Sequence, residues 1–259
     1  MNLTCEVLNN EEVNPVEMSR YISIKAYDSH EEKHAYFIEM MEYIVSRIKD
    51  IQYKSKNTNP MNAFEHGAGT GHLTKRIAEI KNLQVLACEL DQVCYQQLSD
   101  NLCHKKNLTI LNKNTLAMDD TEKFDFICSS FADHHFNMDD KVKYFATIAK
   151  MLKQNGVALI GDEFLPEHDY ANTKQRAEAL NKYHNHIIDI AIDEGNFALA
   201  KLETQALDSG LAGLGDFKLS CSQYERLLGI QGLSFRKKKI GPTDLENFGG
   251  VYVYELTYS

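Results

Sequence analysis

Several features that mark membrane proteins or nucleic-acid binders are missing from this 259-residue chain. No segment approaches the roughly 20 apolar residues that a membrane helix requires, and residues 1–13 are polar and acidic, unlike a secretory leader. The chain has 28 basic and 37 acidic residues, a net charge of −9, and its one basic run is Arg236 to Lys239. Nucleic-acid binders usually have a clustered basic face. We therefore expect no membrane and no nucleic-acid partner.

Cysteine pairs with zinc-type spacing are also missing. Several cysteines lie inside apolar runs, which is typical of buried free thiols. The six cysteines are Cys5, Cys88, Cys94, Cys103, Cys128 and Cys221. This usage predicts a reducing compartment, and we expect a cytoplasmic protein.

Short apolar strands alternate with helices through the middle of the chain. We predict strands at residues 62–65, 84–89, 108–111, 124–129 and 157–161, and helices at residues 72–81, 92–103 and 138–152. Two more strands are predicted at residues 234–240 and 251–257. Continuous apolar strands separated by helices are typical of a parallel sheet covered on both faces. The fold class is therefore α/β, a doubly wound, Rossmann-like sheet.

We interpret residues 1–259 as a single domain with two helical additions. Residues 1–56 form an N-terminal helical lid, with an amphipathic helix over 29–50 that begins at a Ser29–Glu32 capping box. Residues 169–216 form a helical insertion over the sheet edge and the substrate site. A short helix at 222–229 follows, with a second capping box formed by Ser222 and Glu225.

The segment EHGAGTG, residues 65–71, follows the first predicted strand and opens the next helix. In open α/β sheets, ligands bind beyond the carboxyl ends of the strands. Gly67, Gly69 and Gly71 let the backbone turn sharply and approach a ligand with no Cβ in the way. We predict a cofactor at this loop; the alternative is a tight strand-to-helix turn that holds no ligand.

Spacing and charge distinguish two cofactors for this loop. The dinucleotide fingerprint is G-x-G-x-x-G, but His72 occupies its third glycine position and the spacing here is G-x-G-x-G. A pyrophosphate avoids a neighbouring carboxylate, and Glu65 stands just before the loop. S-adenosylmethionine has no phosphate and carries a cationic amino group and a sulfonium. The pattern therefore favours S-adenosylmethionine over a dinucleotide.

Glu89 ends the second predicted strand, where a carboxylate can accept both hydroxyls of a ribose. The alternative is a solvated charge at a strand end. We expect Leu90 to pack against the adenine and Asp91 to cap the next helix.

Four segments resemble, in order along the chain, the class I S-adenosylmethionine-dependent methyltransferases. They read FEHGAGTGHLT, VLACELD, FDFICSSFADHHF and LKQNGVALIGDEF, and they cover roughly residues 63–164. The resemblance implies a seven-stranded sheet whose last strand, 251–257, is antiparallel and lies beside 234–240. The three glycines match the family's loop, and Glu89 matches its ribose-binding acid.

The resemblance implies further cofactor contacts. Asn114 and Thr115 fall after the third strand, where many members carry an acid near the adenine; Asn114 departs from that acid, but its amide oxygen can accept the same hydrogen bond. Ser130 and Phe131 match the segment that runs past the cofactor. Tyr27 precedes the first helix, where relatives close over the methionine portion.

A candidate base follows the fourth strand. His134 titrates near neutral pH and can accept a proton from a hydroxyl, a phenol or a ring nitrogen, with Asp133 orienting it. The alternative is a histidine that packs or bonds backbone. Glu163, after the fifth strand, is a second candidate for the base, and its alternative is a strand-end carboxylate.

We therefore predict methyl transfer to a nitrogen or oxygen atom of a small molecule. No N/D-P-P-Y/F/W motif follows the fourth strand, which disfavours the exocyclic amines of DNA and the glutamine side chain. We expect no metal, although Asp133, Asp162 and Glu163 leave that option open. The insertion is also a place for dimer contacts, so a homodimer is possible. Two other functions remain open: a non-catalytic S-adenosylmethionine-binding or regulatory subunit, and an NAD-dependent oxidoreductase.

Overall fold

The computed structural model describes residues 17, 19, 23–56, 59–118 and 123–258, apart from the side chains of residues 26 and 27. Its strands are β1 (Met61–His66), β2 (Leu83–Glu89), β3 (Leu108–Asn112), β4 (Phe124–Ser130), β5 (Leu152–Phe164), β6 (Leu233–Gly241) and β7 (Gly250–Tyr258). Its helices are α1 (Ile24–Glu31), α2 (Phe37–Ser55), α3 (His72–Ile77), α4 (Gln92–Leu102), α5 (Met138–Met151), α6 (Thr173–Asp193), α7 (Phe197–Ala212) and α8 (Cys221–Ile230).

The strands form one sheet in the order β3-β2-β1-β4-β5-β7-β6. Strands β1 to β5 pair in parallel, whereas β7 runs antiparallel to both β5 and β6. The predicted α/β fold, with an antiparallel last strand beside the strand that precedes it in the chain, is therefore confirmed. The chain reverses its direction of winding between β1 and β4, which opens a crevice at their carboxyl ends.

Apolar side chains cover the sheet on both faces. One buried cluster joins α5 and α8 to the sheet through residues such as Phe145, Tyr224 and Tyr254. The other joins α2 and α3 to the opposite face through residues such as Ile44 and Leu73. The two clusters hold the strand ends rigidly in place around the crevice.

The N-terminal helix differs from its prediction. Two helices, α1 and α2, replace the single helix expected over 29–50, and Ser29 lies inside α1, so the predicted capping box is wrong. Tyr36 has a left-handed φ of 69°, which breaks the helix there. The break turns His34 inward, where its imidazole is buried against Glu163 and Glu203. The helical pattern of the local sequence does not predict the contact of His34 with carboxylates that lie far away in the chain.

Two helix boundaries also shift. Helix α3 ends at Ile77 rather than at Lys81, and Asn82 adopts a left-handed φ of 57°. The cap of α8 is Ser220, which forms a capping box with Gln223, so the predicted box at Ser222 is wrong.

Helices α6 and α7 fill the region predicted as the insertion. Leu180, Tyr183 and Ile187 of α6 pack with Leu207 of α7 and with Phe248. Within the described ranges, no helix is both long and apolar enough to cross a bilayer.

Candidate active site

The glycine loop joins β1 to α3, and its three glycines serve different purposes. Gly67, Gly69 and Gly71 all have positive φ, at 60°, 54° and 102°. A Cβ on Gly67 would lie 2.6 Å from the Cβ of Ala132, and one on Gly71 would lie 2.6 Å from Leu98 Cδ1. A Cβ on Gly69 would meet no protein atom within 4 Å. Packing therefore requires the outer two glycines, whereas the middle one borders open space.

Glu89 connects this loop to the neighbouring strand. Its Oε2 accepts a 2.7 Å hydrogen bond from the Gly69 N–H, and its Oε1 accepts one of 2.7 Å from the Asp91 N–H. Burial raises the pKa of Glu89, and the amide hydrogen bonds oppose that rise. Asp91 caps α4 by accepting from the N–H groups of Val93 and Cys94, as predicted.

A cavity of about 90 Å³ lies where these elements meet, and we refer to it as the loop cavity. Most of the predicted cofactor-binding residues line it. They are Gly67, Gly69, Glu89, Leu90, Asn114, Thr115, Ser130 and Phe131. Glu17 and Glu31 also border it. Gly71 is not among its lining residues. Tyr27 lies inside α1 rather than before the first helix, and its side chain is outside the described residues.

Glu65 does not line the loop cavity, although it was predicted to face the cofactor. Its side chain is only 1% exposed beneath the loop, and burial raises its pKa to about 8, with the nearby carboxylate of Glu89 adding to the rise. A direct contact between Glu65 and a cofactor is therefore wrong for this geometry. The side chain turns inward because β1 is covered on both faces.

Two predicted residues are held in specific conformations. Asn114 Oδ1 accepts the N–H of Leu116, so the amide oxygen expected to meet the adenine caps a short 3₁₀ turn. Phe131 has a φ of 48°, uncommon for a bulky residue, and its N–H donates to the carbonyl of Gly161. That conformation places the Phe131 ring beside His34 and Phe37.

Asp162, not Asp133, orients His134. The Nδ1 atom of His134 lies 2.6 Å from Asp162 Oδ1, and the His134 backbone N–H donates to Asp162 Oδ2 at 3.0 Å. Burial and the positive charge of Lys218 lower the pKa of His134 to about 4. His134 is therefore a neutral imidazole held by a carboxylate, which suits a proton acceptor.

Asp133 has other partners. It accepts the Tyr224 hydroxyl at 2.7 Å, and the Lys141 ammonium lies 4.0 Å from its Oδ1. Burial and the neighbouring Asp162 raise the pKa of Asp133 to about 8. The prediction that Asp133 orients His134 is therefore wrong; sequence adjacency suggested it, but the Asp133 carboxylate pairs with Tyr224 and Lys141 instead.

Glu163 is the centre of a buried ionic network. Its Oε1 accepts the Tyr183 hydroxyl at 2.7 Å and lies 3.3 Å from His34 Nε2, while its Oε2 lies 3.2 Å from Lys218 Nζ. Lys218 and His34 hold the pKa of Glu163 well below its usual range. A carboxylate this stabilised is a poor base, so its geometry disfavours the predicted alternative role.

The network continues into the insertion. Glu203 lies 3.1 Å from His34 and 3.0 Å from His184, and Asp216 lies 2.5 Å from Lys218. The carboxylates of Glu203 and Glu163 raise the pKa of His34 to about 10 despite its burial. Nothing in the sequence pointed to His34, Glu203, Asp216 or Lys218, and Asp162 was considered only as a possible metal ligand, not as the partner of His134. Asp162 alone had a local signal, since it directly follows the strand predicted at residues 157–161.

A second, larger cavity of about 430 Å³ lies on the other side of Phe131, and we refer to it as the acceptor cavity. Its polar lining includes His134, His135, Glu163 and Lys218. Its apolar lining comes largely from α7, through residues such as Leu199, Leu202 and Ala206. Glu31, Phe131 and His135 border both cavities, so the two spaces meet at these residues.

One group of possible metal ligands occurs among the described residues. Ligand atoms of His134, Asp162 and Glu163 lie within 4.8 Å of one another. Lys218 and His34 already supply positive charge to Glu163, and Asp162 is bonded to His134. The expectation that no metal takes part stays a prediction.

Comparisons with known proteins agree with this geometry. Residues 63–156 match a family model described as a methyltransferase domain. An uncharacterized methyltransferase of Alkaliphilus oremlandii is 28% identical over 154 residues, which cover 54% of this chain and 69% of that protein.

Two solved structures share the fold. Magnesium protoporphyrin IX methyltransferase from Synechocystis PCC 6803, solved with bound S-adenosylmethionine, is 10% identical with a TM-score of 0.51, over 85% of this chain and 82% of that one. Mitomycin 7-O-methyltransferase is 17% identical with a TM-score of 0.54 over 77% of this chain, and this chain spans about half, 49%, of its length.

S-adenosylmethionine fits the loop cavity. The open side of Gly69 leaves room that a Cβ would fill, and the carboxylate of Glu89 at the next strand end offers acceptors to a sugar. The carboxylates that border the cavity suit a cationic cofactor better than a pyrophosphate, so the predicted cofactor is confirmed. Sheet order, glycine loop, family match and shared fold agree: residues 63–156 match a methyltransferase domain, and the chain is similar to the class I S-adenosylmethionine-dependent methyltransferases.

Proposed function

We propose that this protein transfers a methyl group to a nitrogen or oxygen atom of a small molecule held in the acceptor cavity. The observation that carries the proposal is the meeting of the two cavities at Phe131 and His135, with His134 on the acceptor side. Methyl transfer needs donor and acceptor aligned in contact and shielded from water, and two adjoining cavities supply that arrangement.

The cofactor, when bound in the loop cavity, supplies an electrophilic methyl group. We assign Glu89 to the ribose hydroxyls, because each carboxylate oxygen keeps a lone pair beyond its backbone hydrogen bond. Gly69 leaves room for the amino-acid portion, and we assign Leu90 and Thr115 to the adenine. Asn114 lines the loop cavity, but its amide oxygen accepts the Leu116 N–H and caps the following turn, so we assign it no hydrogen bond to the adenine.

His134 is the proposed base, and Asp162 is its positioning residue. The Nδ1–H of His134 donates to Asp162, which leaves the Nε2 lone pair for a proton of the acceptor. The lowered pKa keeps His134 neutral, and thus ready to accept, throughout the physiological pH range. Glu163 serves to fix His34 and Lys218 at the cavity wall.

The size and lining of the acceptor cavity support a small molecule with an apolar body. A volume of about 430 Å³ falls within the range of small-molecule pockets, roughly 300–1,000 Å³. We propose that α1 acts as a lid and that α6 and α7 cover the substrate, because Glu31 and the apolar face of α7 border the cavity. A cytoplasmic location accords with the free thiols of Cys88, Cys94, Cys103, Cys128 and Cys221.

Methyl transfer from labelled S-adenosylmethionine to a panel of small-molecule acceptors tests the proposal. We expect label in an organic product and accumulation of S-adenosylhomocysteine at a rate that His134→Ala reduces. Tight binding of S-adenosylhomocysteine without transfer to any acceptor class would favour the non-catalytic alternative. Binding of NAD(H) in its place would favour an oxidoreductase.

A further inference from the structure

Two ring nitrogens at the junction of the cavities lack partners. His134 Nδ1 is bonded to Asp162, and His135 Nδ1 lies 2.8 Å from the carbonyl oxygen of Gly215. Among the residues that the structure describes, the side-chain contacts of both rings are made through Nδ1, and no hydrogen bond or ion pair reaches either Nε2. Both side chains line the acceptor cavity, so both Nε2 atoms are available to a molecule bound there.

The bonded partners determine which nitrogen carries the proton. A carbonyl oxygen only accepts, so His135 holds its proton on Nδ1 and has a lone pair on Nε2. The same follows for His134, because Asp162 also accepts the backbone N–H groups of His134 and Glu163, which favours its ionised form. Burial raises the pKa of Asp162, and the Lys141 charge and the Glu163 N–H oppose that rise. Burial lowers the pKa of both imidazoles, to about 4 and about 3, so both are neutral at pH 7.

We propose that the acceptor is a primary amine whose two N–H bonds donate to Nε2 of His134 and Nε2 of His135. The proposal rests on the proposed function and narrows its substrate class. An amine held by its two hydrogens turns its lone pair away from the imidazoles, towards the junction with the loop cavity. A hydroxyl has a single hydrogen, so it would satisfy one ring nitrogen and leave the other unpaired.

The spacing of the two rings suits this role. Acceptors for the two hydrogens of one nitrogen lie about 5 Å apart when each N···N distance is about 3 Å. The ring centroids of His134 and His135 are 4.2 Å apart and their planes differ by 52°. Neighbouring rings at that separation can place their outer nitrogens on either side of one amine.

The charge of the lining favours nitrogen over an anionic oxygen. Five carboxylates line the acceptor cavity, against the two cations His34 and Lys218. Behind this lining, His184 contacts Glu203 and Asp216, which raise its pKa and reduce the excess of negative charge without cancelling it. A neutral amine becomes positive as it is methylated, and the remaining negative charge stabilises that change. A phenolate would instead enter a cavity of like charge.

The step balances without a further reactant. The amine lone pair forms the new N–C bond, and the electron pair of the broken C–S bond stays on sulfur, which leaves as a neutral thioether. The methylated nitrogen is then cationic and releases one proton. Nε2 of His134 takes that proton and passes it to solvent.

The test uses the full chain with ¹⁵N-labelled histidine and saturating S-adenosylhomocysteine. At pH 7 we expect the Nε2 resonances of His134 and His135 to be those of unprotonated nitrogens, and aniline and benzylamine to shift both. Phenol and benzyl alcohol, which match these amines in shape, should shift one at most. An Nε2–H tautomer at either ring, or no shift with either amine on the S-adenosylhomocysteine complex, would overturn the amine assignment.

A second arm measures transfer from methyl-labelled S-adenosylmethionine into the same four probes. We expect methylated amine at a rate at least 10-fold above either oxygen product, and His135→Phe should remove that preference while His104→Phe, on the exposed surface, should not. Label chiefly on oxygen would refute the amine and leave the proposed function standing. Failure of the chain to bind S-adenosylhomocysteine at all would instead refute the proposed function.

Discussion

Asp162 holds His134 by two contacts, a 2.6 Å contact to Nδ1 and a 3.0 Å hydrogen bond from the backbone N–H. The first fixes the tautomer and the second fixes the turn that carries the ring. Because β5 and β4 are adjacent and parallel, the end of β5 delivers this carboxylate directly beneath the segment that follows β4. The register of β4 and β5 thus places the proposed base, His134, beside the carboxylate that orients it.

We expect His134→Ala to lower kcat by about 10²- to 10⁴-fold, the usual contribution of a positioned base. Asp162→Asn should lower kcat less, because it keeps the imidazole and weakens only the contacts that hold it. The affinity for S-adenosylhomocysteine, measured by calorimetry, should change little in both variants. Equal turnover in wild type and His134→Ala would remove His134 from the mechanism.

Glu89→Gln should weaken cofactor binding. The change removes the charge from hydrogen bonds worth about 1.5–3 kcal/mol each, so we expect the Kd for S-adenosylhomocysteine to rise roughly 10- to 150-fold for one lost bond. Glu79→Gln is the matched control, since Glu79 is an exposed acid paired with Lys105. Calorimetric titration measures both, and the same Kd in the two variants would contradict the ribose assignment.

Gly69→Val should abolish cofactor binding in a folded protein. Its φ of 54° strains any side chain, at roughly 1–2 kcal/mol, and the new side chain would fill the loop cavity. Gly195→Val is the control, because Gly195 also has a positive φ, 72°, and open space around its Cβ position. Thermal unfolding should show similar destabilisation in both variants, whereas calorimetry should show lost binding in Gly69→Val alone.

Glu65→Gln should stabilise the fold at alkaline pH. The folded-state pKa, about 8, lies above the usual glutamate value of about 4.5, so the wild type gains stability from this group below about pH 4.5 and loses it progressively as the pH rises to about 8. Glutamine cannot ionise and avoids that loss, which reaches a few kcal/mol at about 1.36 kcal/mol per pKa unit. Urea unfolding at pH 5 and pH 8 measures the difference. If the stability that Glu65→Gln gains over the wild type does not increase from pH 5 to pH 8, Glu65 is not a buried acid that stays protonated in the folded state.

Local patterns predicted the sheet because each strand is a short apolar run with its own turn signals. Periodicity located β2 and β4 to within a residue, and the glycine spacing located the loop. Periodicity did not reveal the break at Tyr36, because that break depends on Gly241 and on buried carboxylates far away in the chain.

The site residues were predictable only where a local sequence pattern, such as a glycine loop or a strand end, marks them. Gly67 and Gly69 follow β1, Glu89 is the last residue of β2, and each borders the loop cavity as expected. The partner of His134 was misassigned because Asp133 is adjacent in sequence whereas Asp162 is adjacent in space. His34, Glu203 and Lys218 come from three separate segments, and only the folded chain brings their charges together.

A crystal structure of the complex with S-adenosylhomocysteine tests the central claim most directly. We predict density in the loop cavity, with the ribose hydroxyls on the Glu89 carboxylate and the sulfur directed past Phe131 towards His134 and His135. Density placed elsewhere, or a sulfur turned away from the acceptor cavity, would contradict the account.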